Sequence, residues 1–217
     1  MVKIEQFTCG YGKRTLIHDF SATFKQGSVT ALSGRSGIGK STLLKAINRL
    51  HEVEENGFFS TGNIDVVLDG KLQDNQTIDP TMLRRKVGYI FQSPVPLPMS
   101  IEKNVSFGLE IQGIKDSQRV EQALRQAYLW EEVKDRITQD PKSLSLGQQQ
   151  RLAIARALVL EPEILLFDEP TSALDGEATE QIEQLMLSLK KNRTMILVTH
   201  DAGQIARICD SVIEIAR

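Results

Sequence analysis

The sequence predicts an α/β fold built on a mainly parallel sheet and interrupted by a helical insertion. Three observations carry this. Short apolar runs alternate with helical periodicities through most of the 217 residues. One run, Ile164-Leu-Leu-Phe167, is apolar at every position, the pattern of a strand buried on both faces. Between Ser93 and about Arg156 the alternation stops and no convincing strand pattern occurs.

Taken in order, Val29-Thr-Ala-Leu32 reads as a strand ending at Ser33-Gly34. A helix is expected from Lys40, with Leu43, Leu44, Ile47 and Leu50 on one face. The acids Glu52, Glu54 and Glu55 before Gly57 read as a solvated loop. Val87–Phe91 is a further strand-like run. Ser93-Pro-Val-Pro-Leu-Pro98 then forbids a helix and favours extended backbone. Val120, Leu124, Ala127 and Tyr128 share a helical face, and Ser145 caps a helix through Arg151, Leu152, Ala155 and Leu158. Ile182, Leu185, Met186 and Leu189 mark a helix over Glu177–Lys191. Met195–Thr199 and Val212–Ile215 complete the strands. One domain is expected, with an α/β core over 1–92 and 157–217 and a helical subdomain over 93–156.

Composition narrows the function classes. Lys and Arg number 26 against 28 Asp and Glu, so bulk charge does not drive nucleic-acid binding. The apolar runs fall far short of the ~20 residues of a membrane helix. Met1-Val-Lys-Ile-Glu-Gln6 has no apolar core of a secretory signal. Cys9 and Cys209 leave a disulfide open, but they read better as reduced core thiols of a cytosolic protein.

Gly34-Arg35-Ser36-Gly37-Ile38-Gly39-Lys40-Ser41 satisfies G-x-x-x-x-G-K-[ST] and lies between a strand and a helix, as phosphate binding requires. Glycines let successive backbone N–H groups turn toward phosphate oxygens, and the helix adds its positive N-terminal end. Lys40 supplies a point charge for the β- and γ-phosphates, and the Ser41 hydroxyl suits Mg²⁺. Asp168 and Glu169 end the buried strand. There Asp168 can reach a metal beside the loop and would hold Mg²⁺, directly or through water, while Glu169 would orient and polarise an attacking water.

Further motifs extend the pattern. Leu144-Ser-Leu-Gly-Gln148 resembles the Leu-Ser-Gly-Gly-Gln signature of ATP-binding cassette ATPases, the energising subunits of membrane transporters. Gln92, Ser172-Ala-Leu-Asp175 and His200 fall where that family places its remaining site elements, all in its sequence order. The likeness covers nearly the whole chain. It implies an ATPase core with an N-terminal antiparallel β part and an inserted helical subdomain. It also implies ATP on residues 34–42 including Thr42, with Tyr11 on the adenine and Mg²⁺ held by Ser41, Gln92 and Asp168. By the same resemblance Glu169 acts on water, while Lys40 and His200 meet the γ-phosphate. Ser145, Gly147, Gln148 and Asp175 would close on ATP across a homodimer. Two permease subunits, and indirectly a solute-binding protein, would be partners, with no nucleic acid. The chain would sit on the inner face of the cell membrane.

Leu83–Ile101, Ala46–Leu50 and Gly108–Ile114 are similar to the corresponding segments of phosphate-importer ATPases. None is needed for ATP chemistry, and the resemblance places them toward the membrane subunits. Two departures stand out: Leu146 replaces the first signature glycine, and Gly176 follows Asp175 where those relatives usually carry proline. The rival readings are a cassette ATPase of a transporter for another solute or for export, a soluble cassette ATPase of DNA repair or translation, and a small-molecule P-loop kinase. The soluble ATPases usually carry two cassettes or a long coiled coil, and the kinases lack the Leu144–Gln148 signature.

Overall fold

The computed structural model describes residues 1–54 and 57–216, so Glu55 of the expected acidic loop lies outside the described residues. The chain opens with an antiparallel hairpin, β1 (Val2–Tyr11) and β2 (Arg14–Phe24), turned at Gly12-Lys13. β3 (Ser28–Ser33) leads through the glycine-rich loop into α1 (Lys40–Ile47). The helix stops before Leu50, because Arg49 adopts φ 57° and starts a short 3₁₀ turn over Leu50–Val53. β4 (Phe58–Leu68) returns antiparallel to β1, and β5 (Lys71–Asp74) pairs with β4. Together they form a sheet of order β2-β1-β4-β5.

α2 (Pro80–Lys86) starts with proline at its first position and Asp79 as its cap, a pairing that suits a helix N-terminus. β6 (Val87–Ile90) follows directly. Next come α3 (Ile101–Glu110), α4 (Ser117–Gln126), α5 (Trp130–Val133) and α6 (Leu146–Leu158). The chain then re-enters a sheet through β7 (Ile164–Asp168), α7 (Gly176–Leu189), β8 (Thr194–Val198), α8 (Ala202–Ile208) and β9 (Ser211–Glu214). The order is β6-β7-β8-β3-β9, and every pairing within it is parallel.

β8 is buried along its full length, as a strand covered on both faces must be. One apolar cluster fills the space between the two sheets, with Phe24, Leu43, Leu83 and Leu166 at its heart. A second joins the other face of the parallel sheet to α3, α4, α6 and α7 through Val105, Leu124, Leu152 and Phe167. The helical stretch thus packs on the sheet and α7.

The proline segment is held by Asn104, which is fully buried on α3. Its Oδ1 accepts from the Leu97 N–H at 2.8 Å, and its Nδ2 donates to the carbonyls of Leu97, Met99 and Ser100. Leu97 and Met99, which look exposed in the sequence, are therefore half-buried, while Val95 is 67% exposed. Cys9 is buried and Cys209 half-buried, and both are free thiols. Among the described residues no helix is long and apolar enough to cross a membrane.

Candidate active site

β3 ends at the edge of the glycine-rich loop, whose Arg35, Ser36 and Gly37 face solvent while Ile38 packs inward. Gly39 precedes α1 at φ 113°, in the left-handed region. A Cβ there would meet Ile17 Cγ1 at 2.9 Å, so conformation and space both demand glycine. Lys40 folds back over the loop and donates to the carbonyls of Gly34 at 2.8 Å and Arg35 at 3.0 Å. Its ammonium rests on the rim where phosphate oxygens would sit. Thr42 is buried in the first turn of α1.

Parallel pairing brings the acids to this loop. Ser41 Oγ donates to Asp168 Oδ1 at 2.9 Å, and the phenol of Tyr89 donates to Asp168 Oδ2 at 2.8 Å. One residue on, Glu169 turns through φ 49° while its N–H donates to the Val198 carbonyl. That turn aims the carboxylate between two partners. His200 Nε2 lies 2.9 Å from Oε1, and Gln92 Nε2 lies 3.4 Å from Oε2 and 3.1 Å from Ser172 Oγ. The neighbouring cavity, of about 720 Å³, has Ser41, Tyr89, Gln92, Val95, Arg156 and Asp168 in its wall.

A hydroxyl and a carboxylate in contact, open toward the loop, fit Mg²⁺, which takes one or two protein oxygens and keeps several waters or phosphates. Gln92 turns its amide nitrogen toward Glu169 and Ser172, leaving its oxygen as the end suited to a cation.

Tyr11 ends β1 half-buried, edge-on to Phe58 at 5.6 Å, and Phe58 lies 3.9 Å from the buried ring of His51. Burial holds the His51 imidazole below its ordinary pKa, so it packs as a neutral ring.

The signature residues gather elsewhere. Ser145 and Gln148 form a reciprocal capping box at the start of α6. Asp175 caps α7 by accepting from the Ala178 N–H at 2.8 Å. Both helix starts border a hollow of about 290 Å³ that includes Gly147 and Glu132 and none of the P-loop residues. The structure thus brings Lys40, Ser41, Gln92, Asp168, Glu169 and His200 around one locus, and Ser145, Gly147, Gln148 and Asp175 around another.

Three contacts give residues roles that the motifs do not assign. Tyr89 holds Asp168, and the Ser172 hydroxyl holds Gln92. Glu132 accepts from Gln148 Nε2 and from Arg151, tying α5 to the signature helix. Each is a contact between distant segments, and only an acid–arginine match could have hinted at the last.

A P-loop against a strand-end Asp-Glu pair, with a capped signature helix on an inserted helical layer, defines a cassette-type ATP-binding domain. The family model described as ABC transporter matches residues 17–172, and the chain belongs to that family. It is 48% identical over 213 residues to phosphate import ATP-binding protein PstB 1 of Vibrio parahaemolyticus, covering 96% of this chain and 77% of that protein. The protein of the same name from Yersinia pestis bv. Antiqua is 46% identical over 211 residues, covering 95% and 77%. Among solved structures, a bacterial Atm1-family ABC exporter with ATP bound superposes with a TM-score of 0.82 at 30% identity. That match covers 99% of this chain, which spans about a third (36%) of the exporter chain.

Proposed function

We propose that the chain binds and hydrolyses ATP to energise a membrane importer of inorganic phosphate. The observation that carries the solute and the direction is the 46–48% identity, over nearly the whole chain, to proteins named phosphate import ATP-binding protein. The matched span takes in Leu83–Ile101, where no residue apart from Tyr89 and Gln92 has a part in ATP chemistry.

ATP occupies residues 34–42 with its adenine on Tyr11. Lys40 leaves the Gly34 and Arg35 carbonyls for the β- and γ-phosphates, exchanging two neutral acceptors for charged ones. Ser41, Asp168 and Gln92 would hold Mg²⁺, which would supply charge against the phosphate oxygens. Glu169, steadied by His200 and Gln92, takes a proton from water as its oxygen bonds to the γ-phosphorus. The bond from that phosphorus to the β–γ bridging oxygen breaks, and ADP leaves with that oxygen. Lys40 and His200 offset the charge on the transferring group.

The separation of the two loci supports a two-fold dimer. Ser145, Gly147, Gln148 and Asp175 of each copy complete the nucleotide site of the other. ATP closes this dimer and hydrolysis reopens it. The motion reaches two permease subunits through Gln92 and the proline segment, with a solute-binding protein delivering to the permeases. The chain would then lie on the inner face of the membrane.

The test is uptake of labelled phosphate by vesicles holding this chain with two phosphate-importer permease subunits. ATP-dependent phosphate accumulation, lost with Glu169→Gln, is expected. Accumulation of another solute, or ATP turnover with no transport, would overturn the assignment.

A further inference from the structure

β6 and β7 pair in parallel with Tyr89 opposite Leu166. Paired residues share a face, and so do residues two apart on a strand, so Tyr89, Leu166 and Asp168 point to the same side. The offset between Tyr89 and Asp168 is two residues along the strand, about 6.6 Å. A phenol spans that gap, which a serine or threonine hydroxyl cannot. Its oxygen meets Asp168 Oδ2 at 2.8 Å while Ser41 takes Oδ1. The two carboxylate oxygens therefore have separate partners, one on each side of the site.

We propose that Tyr89 is a positioning residue for the nucleotide-bound metal: it pins Asp168 Oδ2 and so keeps Oδ1 turned toward Ser41. This rests on the reading of Asp168 as a metal ligand given above. A carboxylate held by one oxygen presents the other without first losing rotational freedom, which is how outer partners of metal ligands raise affinity. The ring also stands in the wall of the 720 Å³ cavity, 4.6 Å from Phe91. Tyr89 thus touches both the metal-side acid and the hollow beside the proline segment.

The test uses the full chain with Glu169→Gln, so that ATP is not consumed, and calorimetric ATP titrations with Mg²⁺ and with EDTA. Adding Tyr89→Phe keeps the ring and removes the donor. About a tenfold loss of ATP affinity is expected with Mg²⁺, the low end for loss of an outer partner of a metal ligand. Affinity in EDTA should stay within about twofold, which also reports an intact fold. Equal losses in both conditions would mean that the hydroxyl serves packing alone, and no loss with Mg²⁺ would mean that Asp168 needs no such hold. Either result overturns the proposal. Should Mg²⁺ fail to tighten ATP binding even with Tyr89 in place, the reading of Asp168 falls and this proposal falls with it.

Discussion

Gly147 of α6 lies so close against Ala178 of α7 that a Cβ on the glycine would sit 2.7 Å from the alanine methyl carbon. Each residue is in the first turns of a helix whose cap borders the signature hollow. The contact fixes how Ser145 and Asp175 stand relative to each other. Gly147→Ala should therefore force the helices apart and lower stability by about 1–3 kcal/mol, as overpacking does. Urea unfolding would show this as an earlier midpoint, and an unchanged midpoint would mean that the helices separate freely.

Leu146, one residue earlier, behaves differently. It lies in the first turn of α6 without positive φ and is 43% exposed, so its backbone needs no glycine. Leu146→Gly should change ATP-driven dimerisation of the Glu169→Gln protein by less than ~1 kcal/mol, roughly fivefold. Sedimentation with ATP measures it. A tightening of tenfold or more would show that the leucine obstructs the dimer.

Gly176 is the first residue of α7, and a Cβ there meets nothing within 4 Å. Asp175 before it is extended at ψ 173°, the conformation a following proline prefers. Gly176→Pro should stabilise the chain by about 0.4–1 kcal/mol through the unfolded state. Thermal unfolding reads the gain, and a lowered midpoint would mean that this helix start needs glycine.

Val95 and Leu97 separate docking from folding. Val95 is exposed in the cavity wall, whereas the Leu97 backbone is clasped by Asn104. Val95→Asp should leave ATP turnover of the isolated chain intact and reduce transport in the assembled complex, while Leu97→Asp should also cost stability. Equal transport by parent and Val95→Asp vesicles would count against this face as the permease contact.

The P-loop, the Asp168–Glu169 pair and the Ser145 cap were legible in the sequence because each is local: a turn, a strand end and a helix start. Leu50 was misplaced on α1 because nothing local announces the left-handed Arg49. Leu97 and Met99 looked exposed because Asn104, which holds their segment, gives no signal until α3 folds back on it. Tyr89 stayed hidden for a related reason, since its partner lies 79 residues away across a parallel pairing. The β2-β1-β4-β5 sheet came only through family likeness, for its pairings carry register shifts that blur the alternation.

His51 sets a pH dependence. Its ordinary pKa is 6.5, and burial against Phe58 lowers it in the folded chain. Above pH 6.5 both states hold it neutral. Below that the unfolded chain gains a proton that the folded chain does not, so stability falls until the folded His51 also titrates. His51→Gln should flatten part of the stability loss between pH 7.5 and 5.5 in urea unfolding. An identical loss in both proteins would show that His51 is not involved.

Glu169 is the group on which the hydrolytic account turns, held between His200 Nε2 at 2.9 Å and Gln92 Nε2 at 3.4 Å. The most direct measurement is ATP binding and turnover by Glu169→Gln beside Lys40→Ala. Glu169→Gln keeps the shape and loses the base, so ATP should bind normally while turnover falls on the order of 10²-fold or more. Lys40→Ala should instead lose binding. Turnover by Glu169→Gln at the parental rate would contradict the account.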